Sequence, residues 1–305
     1  MQQQKYKKNI ALFCKGMAMG AADVVPGVSG GTIAFITGIY EELIDSISAA
    51  NLHALKLLVT GKFTQAWEYI NGTFLLLVFS GILVSVISLA KLISWVLENH
   101  PKIIWAYFFG LILASVVLIG RQVRLTDWHN LLFFVIGVVV AYVITGMSTI
   151  SIAPTIFTVF AAGAVAICAM ILPGISGSFI LVILGMYQPI ITALKDFNVG
   201  LLSFFVLGCI TGLLSFTHLL SWLLHRYHGM MLALLTGFML GSLNKVWPWK
   251  QITEISGRLK EQNLWPSEYL AVVQADPQLI LVLLMLVFGV WTVYVVNYVG
   301  NAKSS

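Results

Sequence analysis

The sequence predicts an all-α polytopic membrane protein made of two inverted-topology repeats, each a broken re-entrant helical hairpin followed by transmembrane helices. Three observations carry this. Hydrophobic residues fill 59% of the 305 positions and charged ones only 10%, so most of the chain must face lipid or other apolar helices. Stretches 73–97, 103–120, 131–147, 200–224, 230–246 and 277–299 are apolar enough, and long enough with tilt, to cross ~30 Å of hydrocarbon. A short phrase is stated twice, as Val25-Pro26-Gly27-Val28-Ser29-Gly30-Gly31 and Leu172-Pro173-Gly174-Ile175-Ser176-Gly177-Ser178. Each copy runs on to a Gly and a Tyr at the same spacing, Gly38 and Tyr40 or Gly185 and Tyr187.

At the N-terminus, Lys5, Lys7 and Lys8 ahead of an apolar stretch, with the small residues of Met19-Gly20-Ala21-Ala22, imitate a secretory leader. Lys15 interrupts the apolar region, however, and 16–40 has a counterpart at 163–187, so the segment is expected to be structural and retained. Residues 9–47 read as helix, Pro/Gly break and second helix, folded back as a hairpin. The nine uncharged residues 32–40 reach only ~14 Å as a helix, which suits a half-helix. Such broken backbone is tolerated in a membrane only inside protein or along a polar cavity. Residues 51–71, with His53, Lys56, Lys62 and Glu68 among leucines, read as an amphipathic surface segment. Three spans follow, with Lys91 inside the first expected to snorkel toward an end. The second hairpin covers 153–194, two more spans come next, then a polar segment and a last span. The expected layout is a first repeat 9–120, a linking helix within 121–152, a second repeat 153–247, a polar extracytoplasmic segment 248–276 and a final helix 277–299.

The duplication continues past the motif. Gly81, Ser88, Ser94-Trp95, Gly110 and Ser115 correspond to Gly208, Ser215, Ser221-Trp222, Gly237 and Ser242 at one constant offset. A hairpin adds no net crossing, so three intervening spans put the second copy on the side opposite the first. The positive-inside rule fits this inversion with both termini cytoplasmic: Lys5, Lys7, Lys8, Lys15, Lys56, Lys62, Arg121, Arg124, Arg226 and Lys303 all fall on one side.

A break followed by a half-helix leaves the first N–H groups of that helix without intrahelical partners and turns the positive end of its dipole into the membrane. Two such breaks make an anion site. Ser29 and Ser176 can cap a helix or bind a ligand oxygen, Thr32 and Ser178 add hydroxyls, and Gly27, Gly30, Gly31, Gly174 and Gly177, beside Pro26, Val28 and Ile175, let the backbone approach closely. Small residues also serve helix packing. A single copy would favour packing, and the inverted duplication favours a site; Gly81, Gly110, Gly208 and Gly237 are read as packing glycines.

Asp23, three positions before Pro26, is an intramembrane carboxylate whose counterpart in the second repeat is Met170. It is a candidate for binding a coupled proton, with helix capping or hairpin bracing as the alternative. Lys15, Arg121, Arg124 and Lys245 are candidate secondary basic contacts. Glu41 and Glu42 read as solvated, and His218, His225 and His228 as packing or interface residues. Cys14, Cys168 and Cys209 lie in apolar segments without metal or disulfide spacing, so neither a metal nor a cofactor is expected. The net charge of +5 sits between apolar runs, which points to lipid headgroups rather than nucleic acid.

Residues Asp23 to Thr32, Met170 to Ser178, Gly241-Ser242-Leu243 and Trp247-Pro248-Trp249 resemble the bacterial polyprenyl-phosphate (undecaprenyl-phosphate) translocases of the PopT-like family over nearly the whole chain. The stretch between Trp249 and Pro277 matches no motif. The resemblance implies a plasma-membrane flippase that returns undecaprenyl phosphate, the carrier lipid of cell-wall precursors, to the cytoplasmic leaflet. It does not assign the residues that touch the lipid. The site physics adds an expected route, from Gly174–Ser178 on the outer side to Gly27–Thr32, then toward Lys15, Arg121 or Arg124, with Lys245 and Trp247 gathering the headgroup. One rival is an undecaprenyl-diphosphate phosphatase, whose loop is similar but places an Arg where Gly30 and Gly177 stand here. Without that charge and paired carboxylates, phosphoryl transfer lacks its stabilisation. Another rival is a small-anion secondary transporter.

Overall fold

The computed structural model describes residues 2–25, 27–150, 152–255 and 258–301; Pro26 lies outside the described residues. Among these, six helices are long and apolar enough to cross a membrane, and they fall on the six expected stretches. They are α6 (Gly72–Asn99), α7 (Pro101–Gly120), α8 (Trp128–Gly146), α12 (Val199–Arg226), α13 (His228–Ser242, continued by a 3-10 turn at Leu243–Val246) and α15 (Leu279–Asn301). The chain is a multi-pass membrane protein. Its outer helices present large apolar side chains, such as Leu83, Val143, Leu219 and Leu284, to the surroundings, as a lipid-facing wall must.

The first hairpin is α1 (Gln2–Asp23), the break, and α2 (Gly30–Ile36). Two expectations are corrected. The first helix begins at Gln2 rather than residue 9, and the half-helix stops at Ile36 instead of running to Tyr40. Gly38 (φ 69°) ends it in the left-handed conformation, with the Ile39 N–H donating back to the Ala34 carbonyl, and Tyr40 opens a separate helix α3 (Tyr40–Ser48). The second hairpin repeats the plan: α9 (Ile156–Ile171), break, α10 (Gly177–Ile183), Gly185 (φ 69°), then α11 (Tyr187–Lys195) turned by 107° from α10. The repeated Gly and Tyr thus mark a helix stop and a restart. Residues 51–71 form two short helices, α4 (Leu52–Val59) and α5 (Phe63–Tyr69), with Leu52, Leu55, Val59, Phe63 and Trp67 exposed.

Four long helix pairs make the frame, α1 with α6, α9 with α12, α7 with α15 and α8 with α13. Glycines bring each pair close. A Cβ on Gly81 would strike the Phe13 carbonyl and one on Gly208 the Phe160 carbonyl, while Gly110 meets the Leu286 carbonyl and Gly237 the Phe134 carbonyl. Lipid is as apolar as leucine, so such close packing, rather than a hydrophobic drive, holds membrane helices together. Gly110→Leu is therefore expected to cost ~1–3 kcal/mol through overpacking, seen as a lower thermal midpoint in detergent. Gly120→Ala, with nothing within 4 Å, leaves that midpoint unchanged.

Side-chain bonds tie α3 to the α12–α13 turn. Ser221 donates to Asp45 at 2.6 Å, His225 lies 3.7 Å from the same carboxylate group and His228 meets Glu41 at 2.9 Å, so Glu41, His225 and His228 act as an interface here. The connection from α13 to α15, expected to be polar, folds as an antiparallel ribbon of β1 (Lys250–Ile255) and β2 (Arg258–Asn263), followed by α14 (Pro266–Val273).

Candidate functional site

The two hairpin tips touch. Ser29 Oγ donates to the Met170 carbonyl at the end of α9 (2.7 Å), and the Gly174 N–H donates to Thr32 Oγ1 (2.8 Å). Both bonds join residues more than 140 positions apart, and Ser29 and Thr32 are fully buried. Gly31 makes the approach possible, since a Cβ there would overlap the Ile171 carbonyl oxygen. Gly174 takes φ 91° and packs against Ser242 on α13; Gly27 takes φ 85° and packs against the Lys245 side chain. Val28 and Ile175 are buried beside them, and Gly177 packs on the Ala166 carbonyl.

Accounting for the backbone donors separates the two half-helices. At α2, the Gly30 N–H donates to Asp23 Oδ1 (2.6 Å), the Gly31 N–H to Ser29 Oγ (3.0 Å) and the Thr32 N–H to the Ser29 carbonyl (2.9 Å). Its first turn is filled by the chain itself. A side chain on Gly30 would collide with the Asp23 carboxylate, which explains the glycine. At α10 no side chain caps the helix, because Ser176 Oγ is hydrogen-bonded to Ser178 Oγ (2.8 Å). Orphan donors at a helix start are where an anion binds. One tip is closed and the other open.

Beside the tips, the 3-10 turn after α13 carries Lys245, whose ammonium lies 4.3 Å from the Phe179 ring centre and pairs with Glu261 of β2 at 2.8 Å. Lys250 of β1 reaches the same carboxylate oxygen at 3.2 Å and donates to the Lys245 carbonyl. Burial pushes the Lys250 ammonium down to about 8, with Lys245 adding to the effect and Glu261 opposing it. Burial would raise the Glu261 carboxyl, but Lys250 and Lys245 outweigh it and hold the group below the ordinary carboxylate range.

The other basic candidates are placed differently. Lys15 donates to the Thr37 carbonyl (2.7 Å), bracing α2 against α1 at the end opposite the tip. Arg121 and Arg124 are exposed at the α7–α8 turn. Sequence reasoning missed Lys250 and Glu261. The Ser256-Gly257 dipeptide between two short polar runs was the available turn signal. Among the described residues, no three His, Cys, Asp or Glu side chains converge in a way that would hold a metal.

Residues 19–263 match a family model described as undecaprenyl phosphate translocase-like. The chain is 48% identical over 288 residues to the polyprenyl-phosphate transporter of Vibrio cholerae, covering 92% of this chain and 94% of that one. It is 32% identical over 253 residues to the polyprenyl-phosphate transporter of Staphylococcus aureus, covering 77% and 84%. No solved structure matches. Both relatives carry the name of a transporter, not an enzyme.

Proposed function

The chain belongs to the undecaprenyl phosphate translocase-like family, and on that premise we propose that it moves undecaprenyl phosphate from the outer to the inner leaflet of the bacterial plasma membrane by alternating exposure of the two hairpin tips. The observation that carries the reading is the unequal state of the tips. The uncapped start of α10 offers N–H donors and the Ser176 and Ser178 hydroxyls to a phosphate, while α2 is closed by Asp23 and Ser29. The headgroup binds at α10 before it reaches α2, and the isoprenoid tail stays in lipid. Passage requires the Ser29–Met170 and Thr32–Gly174 bonds to open, after which the first turn of α2 receives the phosphate from the Asp23 side. A proton on Asp23 removes its charge and weakens its hold on the Gly30 N–H, which is how an ion gradient would favour one direction.

This cycle goes with a reading of 9–120 and 153–247 as inverted repeats. The supporting observations are the like order of hairpin and spans, the three spans between the tips, and the matched pairing of α1 with α6 and α9 with α12. In the same reading 121–152 links the repeats, 248–276 is extracytoplasmic, 277–299 is the final span, and the lysine-rich N-terminus and the C-terminus are cytoplasmic. The test is leaflet exchange of a labelled short-chain polyprenyl phosphate in reconstituted vesicles. Changing Ser176 and Ser178 together to alanine should slow exchange by roughly tenfold or more, the scale of lost hydrogen bonds to a charged group. Exchange equal to the unaltered protein would remove α10 from the route.

A further inference from the structure

Lys245 and Lys250 place two ammonium groups on one oxygen, Glu261 Oε2. Both lysine side chains are enclosed, with 12% and 11% of their surface exposed, whereas Glu261 is at 40%. Enclosed charge is tolerated only when it is paired. Here two cations share a single carboxylate, so the cluster is one negative charge short. A phosphate monoester carries about −1.5 to −2 at neutral pH and offers three acceptor oxygens, which fits the pair better than the carboxylate does. The cluster also borders both hairpin tips. Lys245 lies over Phe179, the third residue of α10, and its Cγ is the atom nearest a Cβ built on Gly27 (2.7 Å).

We propose that Lys245 and Lys250 form the receiving seat for a phosphate monoester, and that Glu261 is a resident carboxylate which holds this seat until the ligand displaces it. The proposal rests on the reading that the chain carries a phosphate-headed lipid. Glu261 is delivered by a two-stranded ribbon, an element of marginal stability on its own. The base of the ribbon is anchored separately, by Asn263 to the Asn244 carbonyl (2.8 Å) and by the Trp247 indole to the Leu264 carbonyl (2.8 Å). Glu261 can therefore leave for water while that base stays in place. Displacement replaces one negative charge by nearly two and neutralises the lysine pair.

The test uses the full-length protein in detergent, with farnesyl phosphate as probe, farnesol as neutral control and inorganic phosphate as headgroup alone. Glu261→Gln should bind farnesyl phosphate roughly tenfold more tightly and Lys250→Met roughly tenfold more weakly, with farnesol moved by neither. Tightening that extends to inorganic phosphate assigns the seat to the phosphate group from any source; tightening confined to farnesyl phosphate assigns it to the lipid headgroup. Unchanged or weaker binding by Glu261→Gln overturns the proposal. Should that variant fail to fold, amide exchange on the unaltered protein decides. Farnesyl phosphate should speed exchange in 250–255 and 258–263, and slower or constant exchange there makes Glu261 a fixed brace. Unaltered protein that neither binds farnesyl phosphate nor exchanges polyprenyl phosphate would fail the transport reading itself. Protein that does both, with the Glu261→Gln affinity unaltered, fails the seat alone.

Discussion

Gly31→Leu lowers lipid exchange by roughly fivefold to a hundredfold or more, the rate equivalent of the ~1–3 kcal/mol that overpacking costs the state in which the tips meet. The glycine faces the Ile171 carbonyl at the point where the two tips meet, and backbone cannot yield as a flexible side chain does. A leucine there separates α2 from the end of α9, which removes the Ser29–Met170 and Thr32–Gly174 bonds together and leaves buried polar groups unmatched. Gly38→Leu is a useful contrast. It sits at φ 69° with nothing within 4 Å of its would-be Cβ, so it strains the end of α2 without touching the joint. Vesicles containing Gly31→Leu that exchange lipid at the unaltered rate would show that the joint takes no part in transport.

Asp23→Asn is expected to leave the fold intact and to abolish any response of exchange to a proton gradient. Asparagine keeps an oxygen for the Gly30 N–H and caps a helix start about as well as aspartate, whereas alanine forfeits ~1 kcal/mol. The pair of variants separates the two roles read for this residue. A thermal midpoint preserved in Asp23→Asn and lowered in Asp23→Ala reports the cap. Gradient-stimulated exchange, present in the unaltered protein and absent in Asp23→Asn, reports the proton. If both variants respond to the gradient as the unaltered protein does, Asp23 is a cap alone.

The six spans were legible because lipid imposes a minimum run of apolar residues that little else in a protein requires. The tips were legible because the chain states them twice, and an asymmetry as small as Asp23 against Met170 identified the carboxylate that closes α2. How the tips meet was not legible. Thr32 and Gly174 are 142 positions apart, and nothing local in either motif says that one donates to the other. Length misled at the half-helix, since uncharged residues run on to Tyr40 while Gly38 stops the helix earlier through its left-handed backbone. The ribbon was missed because strands outside the bilayer need no continuous apolar run. Its alternating Gln251, Thr253, Glu261 and Asn263 look like a solvated linker until Lys245 and Lys250 gather round it.

The pairing of α7 with α15 bears on how the protein is made. Gly110 opens a strip on α7 that the Leu286 backbone of α15 fills, and Gly289 returns the contact against the Tyr107 carbonyl. Roughly 170 residues separate the partners, so at ~5–20 residues per second α7 waits on the order of ten to thirty seconds in the bilayer before its mate emerges from the ribosome. During synthesis that strip is the newborn chain's most durable blemish. A nascent protein that stalls or ends before α15 carries it permanently.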